Sequence, residues 1–149
     1  MPLMSNIRPM NIRAFSIADE SAVIELWNRC DLVRSWNDPR KDIQRKLTTQ
    51  PELFLVGEIG GKIVGSVMAG YDGHRGWVNY LAVLPEHRKG GLGRMLMQRV
   101  ETALKECGCP KLNLQVRSTN HEVVEFYTRL GYAQDQVVSL GKRLIPDAT

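Results

Sequence analysis

The sequence predicts a single α/β (α+β) domain, a mixed and mostly antiparallel central sheet flanked by about four helices. Three observations lead there. The chain has 149 residues, the usual length of one domain. In its first half, short β-type runs meet at glycine turns, as in hairpins. In its second half such runs alternate with long helical patterns, as strands joined by crossover helices do.

The elements follow from periodicity. Residues 1–10 read as a flexible tail, with Met4 and Met10 as alternative starts, and residues 11–149 as the domain. Asn11 to Phe15 reads as a strand. Asp19 to Cys30 reads as a helix, with Val23, Trp27 and Cys30 on one face and Ile24 beside them. The stretch "DLVRSWND" is a loop. Asp38 then caps a second helix, with Pro39 at its first position, running to about Gln50. That helix is highly charged and has Ile43 and Leu47 as its main apolar residues, so a surface position is expected. Leu53 to Ile59 and Lys62 to Tyr71 form a hairpin around Gly60-Gly61. The turn "DGHRG" leads to a strand from Trp77 to Val83, ended by Pro85. Leu92 to Cys107 is a strong helix with Leu92, Leu96, Val100, Ala103 and Cys107 on one stripe, ended by Gly108. Leu112 to Val116 is a strand. Asn120 caps a last helix carrying Val123, Phe126, Tyr127 and Leu130, and Gly131 ends it. The segment from Tyr132 to Leu144 is expected to add one or two strands.

Composition narrows the function classes. Apolar residues make up 43% and charged residues 24%, ordinary for a soluble globular chain. A net charge of +4 fits an anionic ligand and is too weak to argue for nucleic acid. Cys30, Cys107 and Cys109 are odd in number and contain no CxxC, which argues against a disulfide framework and a zinc site. No metal, no nucleic acid and no membrane partner are expected. A reducing cytoplasm fits the cysteine usage and the lack of an apolar leader in "MPLMSNIRPMN".

The most informative stretch is "EHRKGGLGR", between a strand and a helix. Backbone N–H groups at a helix start carry partial positive charge. Gly91 and Gly93 have no Cβ, so an anion can approach the main chain. Arg88, Lys89 and Arg94 add positive charge at the rim. A pyrophosphate suits such a turn. The spacing excludes two better-known nucleotide loops. No GK[ST] follows, so it is not a P-loop, and the glycines fall mid-chain as G-G-x-G rather than G-x-G-x-x-G after an N-terminal strand.

Arg88-x-x-Gly91-x-Gly93 resembles the central signature of the GNAT superfamily of N-acetyltransferases: Arg or Gln, two residues, Gly, one residue, then Gly or Ala. Downstream, Asn120, Phe126-Tyr127 and Gly131-Tyr132 are similar to the family's second signature. The stretches "CDLVRSWNDP", "GYDGHRG" and "SLGKRLI" look more narrowly like the bacterial YpeA-like acetyltransferases. The resemblance implies acetyl-coenzyme A as co-substrate, held where two strands splay apart. It implies main-chain contacts to pantetheine from Leu81, Ala82 and Val83. It implies that Arg88, Lys89, Gly90, Gly91, Leu92, Gly93 and Arg94 wrap the pyrophosphate. Asn120 would contact the pantetheine arm or orient the helix beside it. Tyr127 would face the sulfur. The implied acceptor is a small-molecule amine or a peptide or protein amine, and the implied state a monomer or homodimer. A non-catalytic coenzyme-A-binding sensor or interaction module is the alternative.

Acetyl transfer needs a neutral amine, donors aimed at the oxyanion, and an acid for the leaving thiolate. Tyr127 is the expected acid, and a main-chain N–H near Ala82 or Val83 the expected oxyanion donor. Relatives place a Glu on one of the splayed strands. Here those strands carry Asn79, Tyr80, Asn113 and Gln115. The candidates for the base are then Asp72, His74, Glu86 or an ordered water. The acceptor side is expected from Asp31, Arg34, Trp36, Asn37 and Asp38, and from Tyr71 to Arg75 at the hairpin end. The acids fit a cationic amine, while Arg34 and Arg75 fit a carboxylate. An amino acid or peptide end would use both.

Overall fold

A computed structural model describes residues 9–147. Five strands form one sheet in the order β1-β2-β3-β4-β5. They are β1 (Asn11–Ala14), β2 (Phe54–Ile59), β3 (Lys62–Tyr71), β4 (Gly76–Val83) and β5 (Leu112–Leu114). The helices are α1 (Glu20–Arg29), α2 (Pro39–Leu47), α3 (Leu92–Glu106) and α4 (His121–Arg129). The first four strands pair antiparallel, and β4 pairs parallel with β5 across α3. The mixed, mostly antiparallel sheet and its four helices are those the sequence predicts.

The capping chemistry sets the helix starts. Asp38 accepts a hydrogen bond from the Arg40 amide (2.9 Å) with Pro39 behind it, and Asn120 accepts one from the Val123 amide (3.4 Å). The sheet separates two helical layers. On β3 the Ser66 side chain meets Trp27 of α1, whereas a Cβ on Gly65 would meet Leu96 of α3 at 3.0 Å. Side chains alternate across a strand, so α1 and α3 cover opposite faces. Phe15 and Trp27 stack on Phe54 at 4.4 and 6.2 Å, joining β1, α1 and β2 in the core.

The β3–β4 ladder slips by one residue. Ser66 faces Ala82 but Met68 faces Asn79, so Tyr80 and Leu81 together oppose Val67. This is a β-bulge, and Tyr80 sits in it with φ of 53°. A non-glycine residue in the left-handed region is strained and needs its surroundings to hold it. Here a buried bridge does so. The Trp27 indole N–H donates to Ser66 Oγ (2.9 Å), and Ser66 Oγ donates to the Tyr80 carbonyl (3.0 Å). The Tyr80 ring stacks on Trp27 at 3.8 Å, and its hydroxyl donates to Asp42 on α2 (2.6 Å).

Three expectations change. Residues 133–147 contain no strand: the segment is tied to β5 by side chains, Lys111 to Asp135 and Gln115 to Ser139, rather than by a ladder. The three residues of β5 give a short edge to pair with, and Val137, Val138, Leu140, Leu144 and Ile145 stay 70% to 90% exposed. Helix α2 is not a pure surface helix, because Ile43 and Lys46 are both buried. Met10 belongs to the core rather than to the tail, with its side chain filling the space over Gly57. Residues 1–8 of the expected tail lie outside the described residues. Among the described residues no helix is long and apolar enough to cross a membrane.

The bridge predicts the cost of breaking it. Ser66→Ala leaves a buried indole N–H and a buried carbonyl unpaired, so it should destabilise the domain by about 1–3 kcal/mol, measured by urea unfolding. A loss below the error of that measurement would show that the bulge holds without the bridge.

Candidate active site

Strands β4 and β5 pair only at Gly76–Leu112, Trp77–Asn113 and Val78–Leu114. Beyond Val78, β4 continues five more residues to Val83 with no strand partner on that side among the described residues, and the two strands part as a fork. The Leu84 amide donates to the Val64 carbonyl (2.9 Å), which fixes the alternation of the ladder. Leu84 and Ala82 turn their main-chain groups toward β3. Leu81 and Val83 turn theirs into the fork. Of the three residues expected to offer main-chain contacts, Ala82 therefore spends its own on the sheet. The Val83 carbonyl is also taken, by Arg88 Nε (3.1 Å) and Cys30 Sγ (3.3 Å). The Val83 N–H and both groups of Leu81 are left facing the fork.

The glycine-rich turn sits at the end of β4. Gly91 is the N-cap of α3 with φ of +79°, and Lys89 also has positive φ, 69°. A side chain at Gly91 would meet nothing within 4 Å, so the backbone angle is what demands glycine there. The first intrahelical bond runs from the Met95 amide to the Gly91 carbonyl (3.1 Å). The amides of Leu92, Gly93 and Arg94 consequently have no helix partner, and no acidic side chain stands in that first turn. Arg88, Lys89, Gly90 and Arg94 are exposed around them. Gly93 has a second reason to lack a Cβ: one would lie 3.1 Å from the Phe126 ring and 3.9 Å from Val83. It lets α3, α4 and β4 converge on one point.

Tyr127 follows Phe126 on α4, 8% exposed and packed edge-on against Phe126 and Tyr132 at 5.0 and 5.6 Å. Burial pushes its phenol above the ordinary tyrosine value, which keeps the proton on Oη at neutral pH. Tyr132 donates its own hydroxyl to Glu101 on α3 and so fixes the aromatic cluster from behind. Asn120 is spent on capping α4 and orients the helix that carries Tyr127.

None of the three side chains named as a base reaches this place. Asp72 and His74 are at the β3–β4 hairpin tip, where Asp72 accepts the amides of His74 (2.8 Å) and Arg75 (2.7 Å). Those bonds lower its pKa, as befits a turn residue. The tip is at the opposite end of β4 from Ala82, roughly 20 Å away at strand rise. Glu86 is closer but forms a two-pronged ion pair with Arg29 of α1 (2.9 and 2.7 Å), which pulls its pKa down to about 2. A carboxylate so stabilised is a poor base.

On the α1–α2 side of the fork lies an open cavity of about 640 Å³. Asn79 and Tyr80 of β4 and Gln115, just past β5, form its inner end. Of the residues expected on the acceptor side, Arg34, Trp36 and Asn37 line it. Asp31 pairs with Arg34 (3.3 Å), and Asp38 caps α2. Residues 71–75 do not line it. Helix α2 contributes Asp42, Arg45 and Lys46, and the loop after β5 contributes Arg117. These were not anticipated. The signal for Lys46 was its spacing, one turn from buried Ile43 on the same helix face.

A clasp from the chain's far end holds α2 in place. The Asp147 carboxylate, 1% exposed, accepts the Asp38 amide (2.8 Å) and pairs with Arg45 (2.6 Å) and Arg143 (3.0 Å). Arg143 also donates to the Trp36 carbonyl (2.6 Å) and the Asn37 side chain (3.1 Å). The Arg45 guanidinium and the Asp38 amide hold the Asp147 carboxyl well below the usual aspartate range.

Comparison with known proteins gives the class of this fold. The chain belongs to the acetyltransferase (GNAT) family, whose profile matches residues 21–132. It is 53% identical over 139 residues to "Acetyltransferase SG1711" of Sodalis glossinidius (strain morsitans), covering 93% of this chain and 98% of that protein. The fold also superposes on AAC(6')-Iy, solved in complex with the bisubstrate analog CoA-S-monomethyl-acetylneamine. There the TM-score is 0.74 at 19% identity, covering 91% of this chain and 99% of that one. It superposes as well on Naa20 of Chaetomium thermophilum, solved with a bisubstrate analogue, with TM-score 0.67, 26% identity and coverage of 83% and 70%. The protein is an acetyltransferase.

Two outcomes are expected. Asp72→Asn, His74→Ala and Glu86→Gln should each leave the acidic limb of the pH–rate profile in place; a shifted limb would return that residue to the role of base. The folded-state pKa of Asp147 is lowered, so its stabilising contribution is complete above about pH 4 and fades as pH falls through the lowered value. Asp147→Asn should therefore lower Tm at pH 7, and the gap to the native protein should close in melts run at progressively lower pH below 4.

Proposed function

We propose that the protein moves an acetyl group from acetyl-coenzyme A to a primary amine by direct attack, with both substrates bound at once. The observation that carries this reading is the fork: an unpaired strand edge that ends at three free helix-start amides ringed by Arg88, Lys89 and Arg94. An extended pantetheine arm fits such an edge, and a pyrophosphate fits such a helix start. Acetyl-coenzyme A supplies the activated acyl thioester. The chain's own groups do the rest. The amides of Leu92, Gly93 and Arg94 bind phosphate oxygens, with Gly90 and Gly91 shaping the turn. The Leu81 and Val83 N–H groups face the fork as main-chain donors, one of them available to the acetyl oxygen. Tyr127 holds a proton at Oη for the departing sulfur. The cavity on the other side of the fork receives the amine.

The base is best read as solvent. The fork carries Asn79, Asn113 and Gln115 in place of a carboxylate, and Asp42 beside it already accepts the Tyr80 hydroxyl. Alignment of the two reactants is itself a large part of the acceleration. The motif stretches around Cys30, Tyr71 and Gly141 support a place beside the YpeA-like acetyltransferases.

Two variants test the assignment. Tyr127→Phe should preserve acetyl-coenzyme A affinity and lower kcat by about 10²- to 10⁴-fold, read from thiol release; an unchanged kcat removes Tyr127 from the acid role. Gly91→Glu puts a carboxylate and a strained backbone at the helix start, and calorimetry should show acetyl-coenzyme A binding abolished. Intact binding would sink the phosphate reading of the turn.

A further inference from the structure

We propose that the acceptor is a small primary amine bearing a carboxylate, held with the carboxylate between Lys46 and Arg117 and the amine at the fork. The proposal rests on the amine-acetylation reading above. The cavity, about 640 Å³, has the size of a small-molecule site. Four basic side chains line it, Arg34, Arg45, Lys46 and Arg117, against one carboxylate, Asp42.

The existing pairs account for two of the four cations. Arg45 is taken by Asp147 (2.6 Å) and Asp42 (3.2 Å), and Arg34 by Asp31 (3.3 Å). Among the described residues, Lys46 and Arg117 have no carboxylate at ion-pair distance. Lys46 is 9% exposed, and Glu52, whose charge acts on it, is itself on the surface. A buried ammonium without a counter-ion is costly, and burial holds the Lys46 pKa below the ordinary lysine value. A ligand carboxylate removes that penalty. Arg117 lies with its guanidinium carbon 5.7 Å from the centroid of the Trp36 ring, a cation–π contact that leaves its fork of donors able to take a carboxylate.

The same cations bear on the missing base. Like charges disfavour the ammonium form of a bound amine. Asn79 and Gln115, both neutral, stand at the fork where that amine would be oriented.

The test measures thiol release from acetyl-coenzyme A with the standard amino acids, with the amines that keep each side chain but lack the carboxylate, and with short peptides. The carboxylate-bearing amino acids should show KM at least about tenfold lower than their carboxylate-free counterparts, the usual worth of a charged hydrogen bond. Arg117→Gln and Lys46→Met should each raise that KM about 10- to 100-fold while KM for acetyl-coenzyme A stays put. Arg117 is exposed, so its variant keeps the test open if Lys46→Met fails to fold. A preference for carboxylate-free amines or for peptides, or an unchanged KM in Arg117→Gln, overturns the acceptor class and leaves amine acetylation standing. No turnover of any amine by a protein that binds acetyl-coenzyme A overturns both.

Discussion

The fork depends on one buried bridge, in which Trp27 donates to Ser66 and Ser66 donates to the Tyr80 carbonyl. An extra residue in β4 turns the strand, and only a satisfied carbonyl and a stacked ring make Tyr80's left-handed backbone tolerable. The consequence runs in two directions. Toward α3, the bulge sets which main-chain groups of Leu81 and Val83 face outward. Toward α2, it aims the Tyr80 hydroxyl at Asp42 and so places the wall of the cavity. A single local irregularity thus ties the strand edge on one side to the charged pocket on the other.

The two sides differ in electrostatic logic. At the helix start, positive character comes from unpaired amides and exposed side chains, where water is plentiful and the field is soft. In the cavity it comes from a half-enclosed set of cations, of which Lys46 is the most deeply placed. In the proposed acceptor site the field of that set would take over part of what a general base does elsewhere, acting on the amine's protonation equilibrium rather than by accepting the proton.

Much of this was legible in the sequence. Gly60-Gly61 marked the hairpin, the Leu92–Val100 stripe marked α3, and Asp38 and Asn120 marked two helix starts, because each of these signals is local. What failed was non-local. "WVNYLAV" reads as one unbroken β run, and nothing within it announces that Tyr80 bulges, since the cause lies on α1 and β3. Asp72 and His74 looked chemically able to act as bases, and only the register of β4 shows them to be at its wrong end. Lys46 read as a surface charge because its burial depends on how α2 packs. The segment from Tyr132 to Leu144 read as strand material, yet β5 is only three residues long and no ladder forms beside it.

The Asp147 clasp joins positions 109 residues apart, Asp38 and Asp147, through a side chain rather than a packed core. Contacts of such separation close the largest loops, and the ones least supported by apolar burial open most often in the native state. The sheet and α1 can stay folded while the clasp releases, because Trp27, Phe54 and Ser66 do not depend on it. Helix α2 would then lose the tie at its first turn, and the acceptor cavity its outer wall. On the proposed reading, the half packed around Trp27 and Phe54 would hold the acyl donor, and the half closed by the clasp would admit the acceptor.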